Sequence, residues 1–342
     1  MKRLPIKNLD YEALATWLDD HRQPQFRTKQ IFNWLYDKWA TSFDEMRNVP
    51  KSLREQLDNA FLACSLEVVD SQTAADGTVK YLYKLPDDET IESVLITAGE
   101  RKTVCVSSQV GCPVRCTFCA TGAQGLIRNL QAAEIIDQVV MACRHFGERV
   151  TNVVVMGMGE PLLNYDNLVQ ALDRMDAPEA LNIGARRITV STSGIPDGIR
   201  RLADAGRQWN LALSLQAVKE TQRARLIPAQ YRYPLSEILE ACQFYREQTN
   251  RLITIEYTLL HGRNCSMNDA ERLAAIAKQL HAKVNLIPCN PTVSKSRAPS
   301  ASETHKFLEI LTRQGVNATI RRGKGAEIQA ACGQLRARRP PA

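Results

Sequence analysis

The chain has 342 residues, enough for two ordinary domains or for one large barrel with an appendage. Its 44% apolar and 24% charged residues exclude collagen-like and broadly disordered classes. The net charge is +7, and the stretch from Lys295 to Ala342 carries the whole excess. Arg321, Arg322 and Lys324 sit together there, and Arg336, Arg338 and Arg339 follow. Such a patch fits a phosphate-rich partner or a solvated basic surface, and charge alone does not choose between them. No run of about 18 apolar residues occurs, so no membrane span is expected. The opening MKRLPIKNLDYEALATW lacks the apolar stretch of a secretory signal, so a reducing cytoplasm is the expected setting.

Residues 1–75 read as a helical accessory domain. Apolar residues at three- and four-residue spacing predict helices over 11–20, 28–38 and 51–63, with Pro24 and Pro50 between them. Ile31, Trp34 and Leu35 would share one face, as in a small helical core. A β extension over 76–100 follows, with alternating strands at 79–85 and 90–96 around a turn at 86–89. From 101 to 322 strands and helices alternate. The strands are expected at 104–108, 152–156, 187–191, 210–215, 253–259, 283–287 and 316–320. The helices between them fall near 132–146, 165–176, 196–205, 234–249, 267–281 and 302–314. Six such units predict an α/β fold with a parallel sheet, either doubly wound or closed into an incomplete (βα)6 barrel. In both, chemistry collects at the C-terminal ends of the strands. A basic tail, 323–342, completes the chain.

Ten cysteines are many for a cytosolic chain, and a disulfide scaffold is not expected there. Cys112-Pro-Val-Arg-Cys116-Thr-Phe-Cys119 directly follows a strand, and Gly111, Gly122 and Gly125 permit tight turns around it. Zinc sites usually need a fourth ligand, and neither a second cysteine pair nor a nearby histidine supplies one. A [4Fe-4S] cubane held by three cysteines keeps one iron open. That iron can take the amino and carboxylate groups of S-adenosylmethionine, and one electron then cleaves the sulfonium to a 5′-deoxyadenosyl radical. Glu92 would share a strand face with Val94 and Ile96. An acid among apolar side chains holds its proton more tightly and suits a proton acceptor, whereas an edge-strand glutamate would keep a solvated head.

The three cysteines, with Phe118 before the last, resemble the radical S-adenosylmethionine superfamily. The segments CVSSQVGCPVRCTFCATGAQGLIRNL, VVVMGMGEPLLN, TVSTSGIP, IEYTLL, NLIPCNP and AACGQL are similar to the RlmN/Cfr family of radical RNA adenine methyltransferases, over nearly the whole chain. The resemblance implies a cluster on Cys112, Cys116 and Cys119. It implies a cofactor site at Gly159, Glu160, Ser191, Ser214, Leu215, Gln216 and Asn290, with Glu160 on the methionyl amine. It implies that Cys332 carries the methyl group, that Glu92 is the general base and that Cys105 closes a disulfide on Cys332 to release product. Two S-adenosylmethionine molecules would serve each turnover, one methylating Cys332 and one supplying the radical. The implied targets are carbon 2 of adenosine 2503 in 23S ribosomal RNA and of adenosine 37 in transfer RNA. The unstacked base would be gripped through the basic tail and the N-terminal helices. An electron donor such as flavodoxin, and a monomeric protein, are also implied.

Three positions depart from the family pattern: Gln216 in place of His, Pro228-Ala229-Gln230 in place of Pro-Ile-Asn, and the loop Gly262-Arg263-Asn264-Cys265. They leave room for a divergent paralogue with another RNA. Further alternatives are methylation at carbon 8 of the same adenine, a radical enzyme acting on a small molecule, and a non-catalytic zinc-containing RNA-binding protein.

Overall fold

The computed structural model describes residues 3–290, 296–321 and 323–335. Lys295, Arg322, Arg336, Arg338 and Arg339 of the basic stretch lie outside the described residues.

The N-terminal unit begins with β1 (Leu4–Pro5). Helices α1 (Tyr11–Asp20), α2 (Phe26–Phe32) and α3 (Lys51–Ala60) follow. The Asp10 carboxylate caps α1 by accepting the Ala13 N–H at 2.7 Å. α2 continues into a π turn, Asn33–Asp37. Leu14, Leu18, Ile31, Leu35, Leu53 and Leu57 meet in the buried interior, while Trp34 is half-buried and its indole N–H donates to Asn48. β2 (Phe61–Leu62) pairs in parallel with β1 and closes this unit. The predicted helical run therefore ends at Ala60, and β3 (Glu67–Thr73), within the stretch expected to be helical, is the outer strand of the main sheet. All seven of its residues are exposed, so it carries no apolar face that a sequence pattern could reveal.

β4 (Val79–Lys84), β5 (Thr90–Ala98) and β6 (Arg101–Cys105) continue antiparallel from β3. A short pair, β7 (Gln109–Gly111) and β8 (Leu126–Asn129), frames the cysteine loop and the short helix α4 (Ala120–Gln124). The βα alternation then runs through α5 (Ala132–Phe146), β9 (Asn152–Val155), α6 (Tyr165–Asp176), β10 (Ile188–Thr192), α7 (Pro196–Asp204) and β11 (Asn210–Ser214). It ends with α8 (Glu220–Leu226), α9 (Leu235–Thr249), β12 (Thr254–Leu259), α10 (Met267–Gln279), β13 (Lys283–Pro288), α11 (Ala301–Arg313) and β14 (Ala318–Ile320).

Strands β6, β9, β10, β11, β12, β13 and β14 are parallel neighbours in sequence order. A doubly wound sheet reverses its order at a switch point, and this one does not. The fold is an open, singly wound barrel wall with an antiparallel extension, as expected for an incomplete (βα)6 barrel. Its central strands are covered on both faces: Val153–Val155 and Leu211–Leu213 are buried throughout.

A buried ion pair fixes the N-terminal unit to the barrel. Lys7 and Asp137, on α5, lie 2.7 Å apart with side chains 1% exposed each. The Lys7 ammonium also donates to the Ala63 carbonyl, and the Ser65 N–H donates to the other Asp137 oxygen at 2.7 Å. Removing one partner strands a desolvated charge, which costs about 3–5 kcal/mol. Lys7→Ala is therefore expected to lower stability by that amount in denaturant unfolding, and the double variant Lys7→Met/Asp137→Leu to recover most of it. An equally deep loss in the double variant would contradict a cost set by the stranded charge.

Candidate active site

The backbone leaving β6 is anchored before it reaches the first cysteine of the motif. Ser107, Ser108 and Gln109 are all buried. The Ser107 hydroxyl donates to the Glu92 carbonyl at 2.6 Å and accepts the Met158 N–H at 2.9 Å. Gln109 accepts the Glu160 N–H at 2.8 Å, and its amide donates to Asn129 at 2.8 Å. The loop Gly157–Glu160 thus packs directly on the segment before Cys112. A Cβ on Gly157 would stand 2.7 Å from Ser107 and from the Val106 carbonyl oxygen, and one on Gly159, whose φ is +108°, would stand 2.7 Å from Gln109.

Cys112, Cys116 and Cys119 are half-buried and pack against Val114, Phe118, Leu226, Ile227 and Cys289. A Cβ at Gly122 would lie 2.9 Å from the Cys116 nitrogen, so the close return of the loop depends on that glycine. Burial pushes the Cys112 thiol up to about 12 and the Cys116 thiol well above the ordinary range. Metal ligation needs thiolates, so binding there must release protons. Among the described residues no three His, Cys, Asp or Glu side chains converge as a single-ion site. Three thiols spread along one loop facing a shared cavity are a donor set for a polynuclear iron–sulfur cluster with an open iron, not for a closed tetrahedral zinc.

The same cavity is lined by Gly159, Glu160, Ser191, Ser214, Gln216 and Asn290, at or just beyond the strand ends. Glu160 is 3% exposed. Its carboxylate accepts the Ser193 N–H at 2.7 Å, the Ser193 hydroxyl at 2.8 Å and the Leu162 N–H at 3.2 Å. Burial nonetheless lifts the carboxyl above its ordinary value, against those donors. The Ser191 and Ser214 hydroxyls are 3.1 Å apart, bridging β10 and β11. Gln216 adopts φ +62°, and its side-chain oxygen accepts the Thr258 N–H at 3.2 Å. Leu215 does not join them: its side chain is fully buried away from the cavity.

Cys105 and Cys332 also face this cavity. Burial, then the neighbouring Cys332 thiol, pushes Cys105 up to about 12, and Arg321 opposes the shift. The segment bearing Cys332 is held on the cysteine loop. The Ala120 N–H donates to the Gly333 carbonyl at 2.8 Å, the Thr121 hydroxyl to the Leu335 carbonyl at 2.5 Å, and the Asn290 amide to the Cys332 carbonyl at 3.1 Å.

Glu92 occupies different surroundings from those expected. Val94 and Ile96 line the main cavity, but Glu92 lines an adjoining polar cleft with Lys80, Gln329 and Gln334. The Lys80 ammonium lies 3.3 Å from its carboxylate, so the acid has a buried cationic neighbour and not a wholly apolar one. Lys80 sits opposite Val94 on β4, two residues along the same face, a relation visible only once register is known. Arg321 is a second correction. In place of the phosphate-binding or solvated patch that the basic stretch suggests, it lines the cavity, 3.9 Å from the Glu256 carboxylate and 3.9 Å from the Met156 sulfur. Lys324 stands 3.8 Å from Asp76, so part of the basic stretch has internal partners. Ser193 and Glu256 escaped sequence reasoning, although Ser193 lies only two residues beyond Ser191 in TVSTSGIP. Of the remaining cysteines, Cys143 and Cys242 are buried packing residues, while Cys289 also reaches the cavity wall.

Cysteines after the first parallel strand and polar groups on successive strand ends define a radical S-adenosylmethionine protein, and the Radical SAM superfamily model matches residues 106–274. The Ribosomal RNA large subunit methyltransferase N-terminal domain model matches residues 5–62. A relative from Thermotoga petrophila, a probable dual-specificity RNA methyltransferase RlmN, is 44% identical over 335 residues, 98% of each chain. One of the same description from Staphylococcus carnosus is 45% identical, over 97% of this chain and 93% of the relative. The crystal structure of a radical SAM methyltransferase from Sphaerobacter thermophilus superposes with a TM-score of 0.95 at 43% identity, covering 98% of this chain and all of that one. The chain belongs to the RlmN family of radical S-adenosylmethionine RNA methyltransferases. The family implies S-adenosylmethionine and a [4Fe-4S] cluster as its cofactors. Among the described residues no helix is long and apolar enough to cross a membrane.

The raised Glu160 carboxyl has a measurable consequence. The folded chain holds this proton more tightly than the unfolded chain, so its contribution to stability is lost as pH rises from 4.5 through the raised folded value. In the metal-free protein the melting temperature of Glu160→Gln relative to the parent is expected to climb as pH rises above 4.5. A difference that stays constant across that range would contradict the assignment.

Proposed function

We propose that the chain methylates carbon 2 of adenine in 23S ribosomal RNA, at position 2503, and in transfer RNA, at position 37, through a methyl group carried on Cys332. The observation that carries this reading is the convergence of Cys332, Cys105 and the three-cysteine loop on one cavity lined by strand-end polar groups. Cys112, Cys116 and Cys119 would hold a [4Fe-4S] cluster, which would supply the electron that reductive cleavage of S-adenosylmethionine requires. Carbon 2 of adenine is a poor nucleophile, so direct transfer from a sulfonium does not serve it.

The remaining work falls to side chains. Glu160 accepts the ammonium of the methionyl group, and Gly159 lets the backbone approach it. Ser191, Ser214, Gln216 and Asn290 orient the rest of that molecule, with the Leu215 backbone between them. Cys332 accepts a methyl from one S-adenosylmethionine, and a second is consumed in activating that methyl, two per turnover. After the carbon bonds to adenine, Glu92, from the adjoining cleft that Gln334 also lines, removes the ring proton, and the adduct gives up one electron, which would return to the cluster. The Cys105 sulfur then bonds to the Cys332 sulfur while the Cys332 sulfur–carbon bond breaks, and the released carbon takes a proton to become the RNA methyl. Two thiols are left as a disulfide, which an electron donor such as flavodoxin, or a cellular thiol, must reduce. The N-terminal unit, which matches the N-terminal domain of ribosomal RNA large subunit methyltransferases, and the basic stretch hold the RNA.

Cys332→Ala is expected to abolish RNA methylation, and Cys105→Ala to accumulate a covalent protein–RNA adduct visible as a shifted band. Digested RNA should yield 2-methyladenosine by mass spectrometry. Retained methylation in Cys332→Ala would overturn the carrier role, and 8-methyladenosine would reassign the carbon.

A further inference from the structure

Beneath the cysteine loop lies a buried cation that no carboxylate salt-bridges among the described residues; Glu220 acts on it only at a distance. Arg223, on α8, is fully buried. Its Nη1 donates to the Leu215 carbonyl at 2.9 Å, while Nε and Nη2 have no hydrogen-bond partner among the described residues. Glu220, one turn earlier, directs its carboxylate to the Leu235 N–H at 2.5 Å. A guanidinium does not shed its proton, so the folded chain buries a charge that proteins ordinarily pair. α8 lies directly against the metal-binding loop. The Leu226 carbonyl accepts the Thr117 N–H at 3.0 Å, and Leu226 and Ile227 pack with Val114, Phe118 and the three cysteines. Arg223 and Cys116 are each among the groups acting electrostatically on the other.

We propose that Arg223 is a built-in counter-charge for the iron–sulfur cluster, a positioning residue that favours its reduced state. The proposal rests on Cys112, Cys116 and Cys119 holding that cluster. A doubly positive cubane core on three thiolates carries one net negative charge, and two after it accepts an electron. A desolvated guanidinium beside it therefore stabilises the reduced form more than the oxidised form, since net charge and hydrogen bonding set such potentials. This accounts for a buried cation that no acid contacts directly, Glu220 being turned to the Leu235 N–H.

The test uses full-length parent, Arg223→Gln and Arg223→Lys proteins reconstituted anaerobically, with iron content and midpoint potential read by a redox titration followed by electron paramagnetic resonance. Arg223→Gln is expected to shift the midpoint to more negative potential, and Arg223→Lys to stay near the parent. A fully loaded Arg223→Gln with the parental midpoint would overturn the proposal. If Arg223→Gln does not retain iron, melting of the metal-free proteins decides. A counter-charge predicts that metal-free Arg223→Met melts at or above the parent, because an orphaned charge has gone. A lower melting temperature would mark the arginine as purely structural and sink the idea. Full iron content in Cys112→Ala would instead refute the underlying cluster site.

Discussion

The Gly333 and Leu335 carbonyls accept hydrogen bonds from Ala120 and Thr121, and the rest of the site depends on this closure. Through it, a segment more than 200 residues downstream in the chain seals the cavity opened by the cysteine loop. Asn290, at the end of β13, holds the Cys332 carbonyl from the other side. Cys332 is itself exposed, while its neighbours Ala330, Ala331 and Leu335 are buried. The thiol is thus accessible while its flanks are anchored, which suits a group that must meet different partners in turn. Gly333, with φ +81°, makes the turn between the anchors.

The barrel supplies what that closure faces. Parallel strands in sequence order deliver one polar residue after another to the same rim: Glu160 after β9, Ser191 in β10, Ser214 in β11, Asn290 after β13. Their positions are fixed by interactions that have no chemistry of their own. Ser107, Ser108 and Gln109, in CVSSQVGC, are all buried and occupied by backbone or amide partners. They fasten the Gly157–Glu160 loop to the strand that carries Cys105. Precision at the rim is therefore a property of this hidden polar layer, and it explains why two glycines in that loop admit no side chain.

Much of this was legible in the sequence because its signals are local. The helices at 132–146 and 165–176 emerge with the expected bounds, since 3.6-residue periodicity marks them. The cysteine spacing and the strand-end residues are likewise short-range patterns. What was hidden requires register or long-range contact. β3 lacks an apolar face. Lys80 meets Glu92 only through the pairing of β4 with β5. Arg321 reads as one of several basic residues until the sheet carries it beside Glu256 and Cys105. Arg223 looks like an ordinary helical arginine, and only its complete burial singles it out. Leu215, placed beside the cofactor by its neighbours in sequence, lies just past the end of β11, fully buried and outside the cavity lining.

The central claim is that three thiols on one loop hold an iron–sulfur cluster in the cavity that Cys332 closes. Iron, sulfide and absorbance analysis of anaerobically prepared protein, with Cys112→Ala alongside, tests it most directly. The account predicts about four irons per chain and a broad band near 400 nm, both lost in the variant. Zinc in place of iron, or no metal under strictly anaerobic handling, would contradict it.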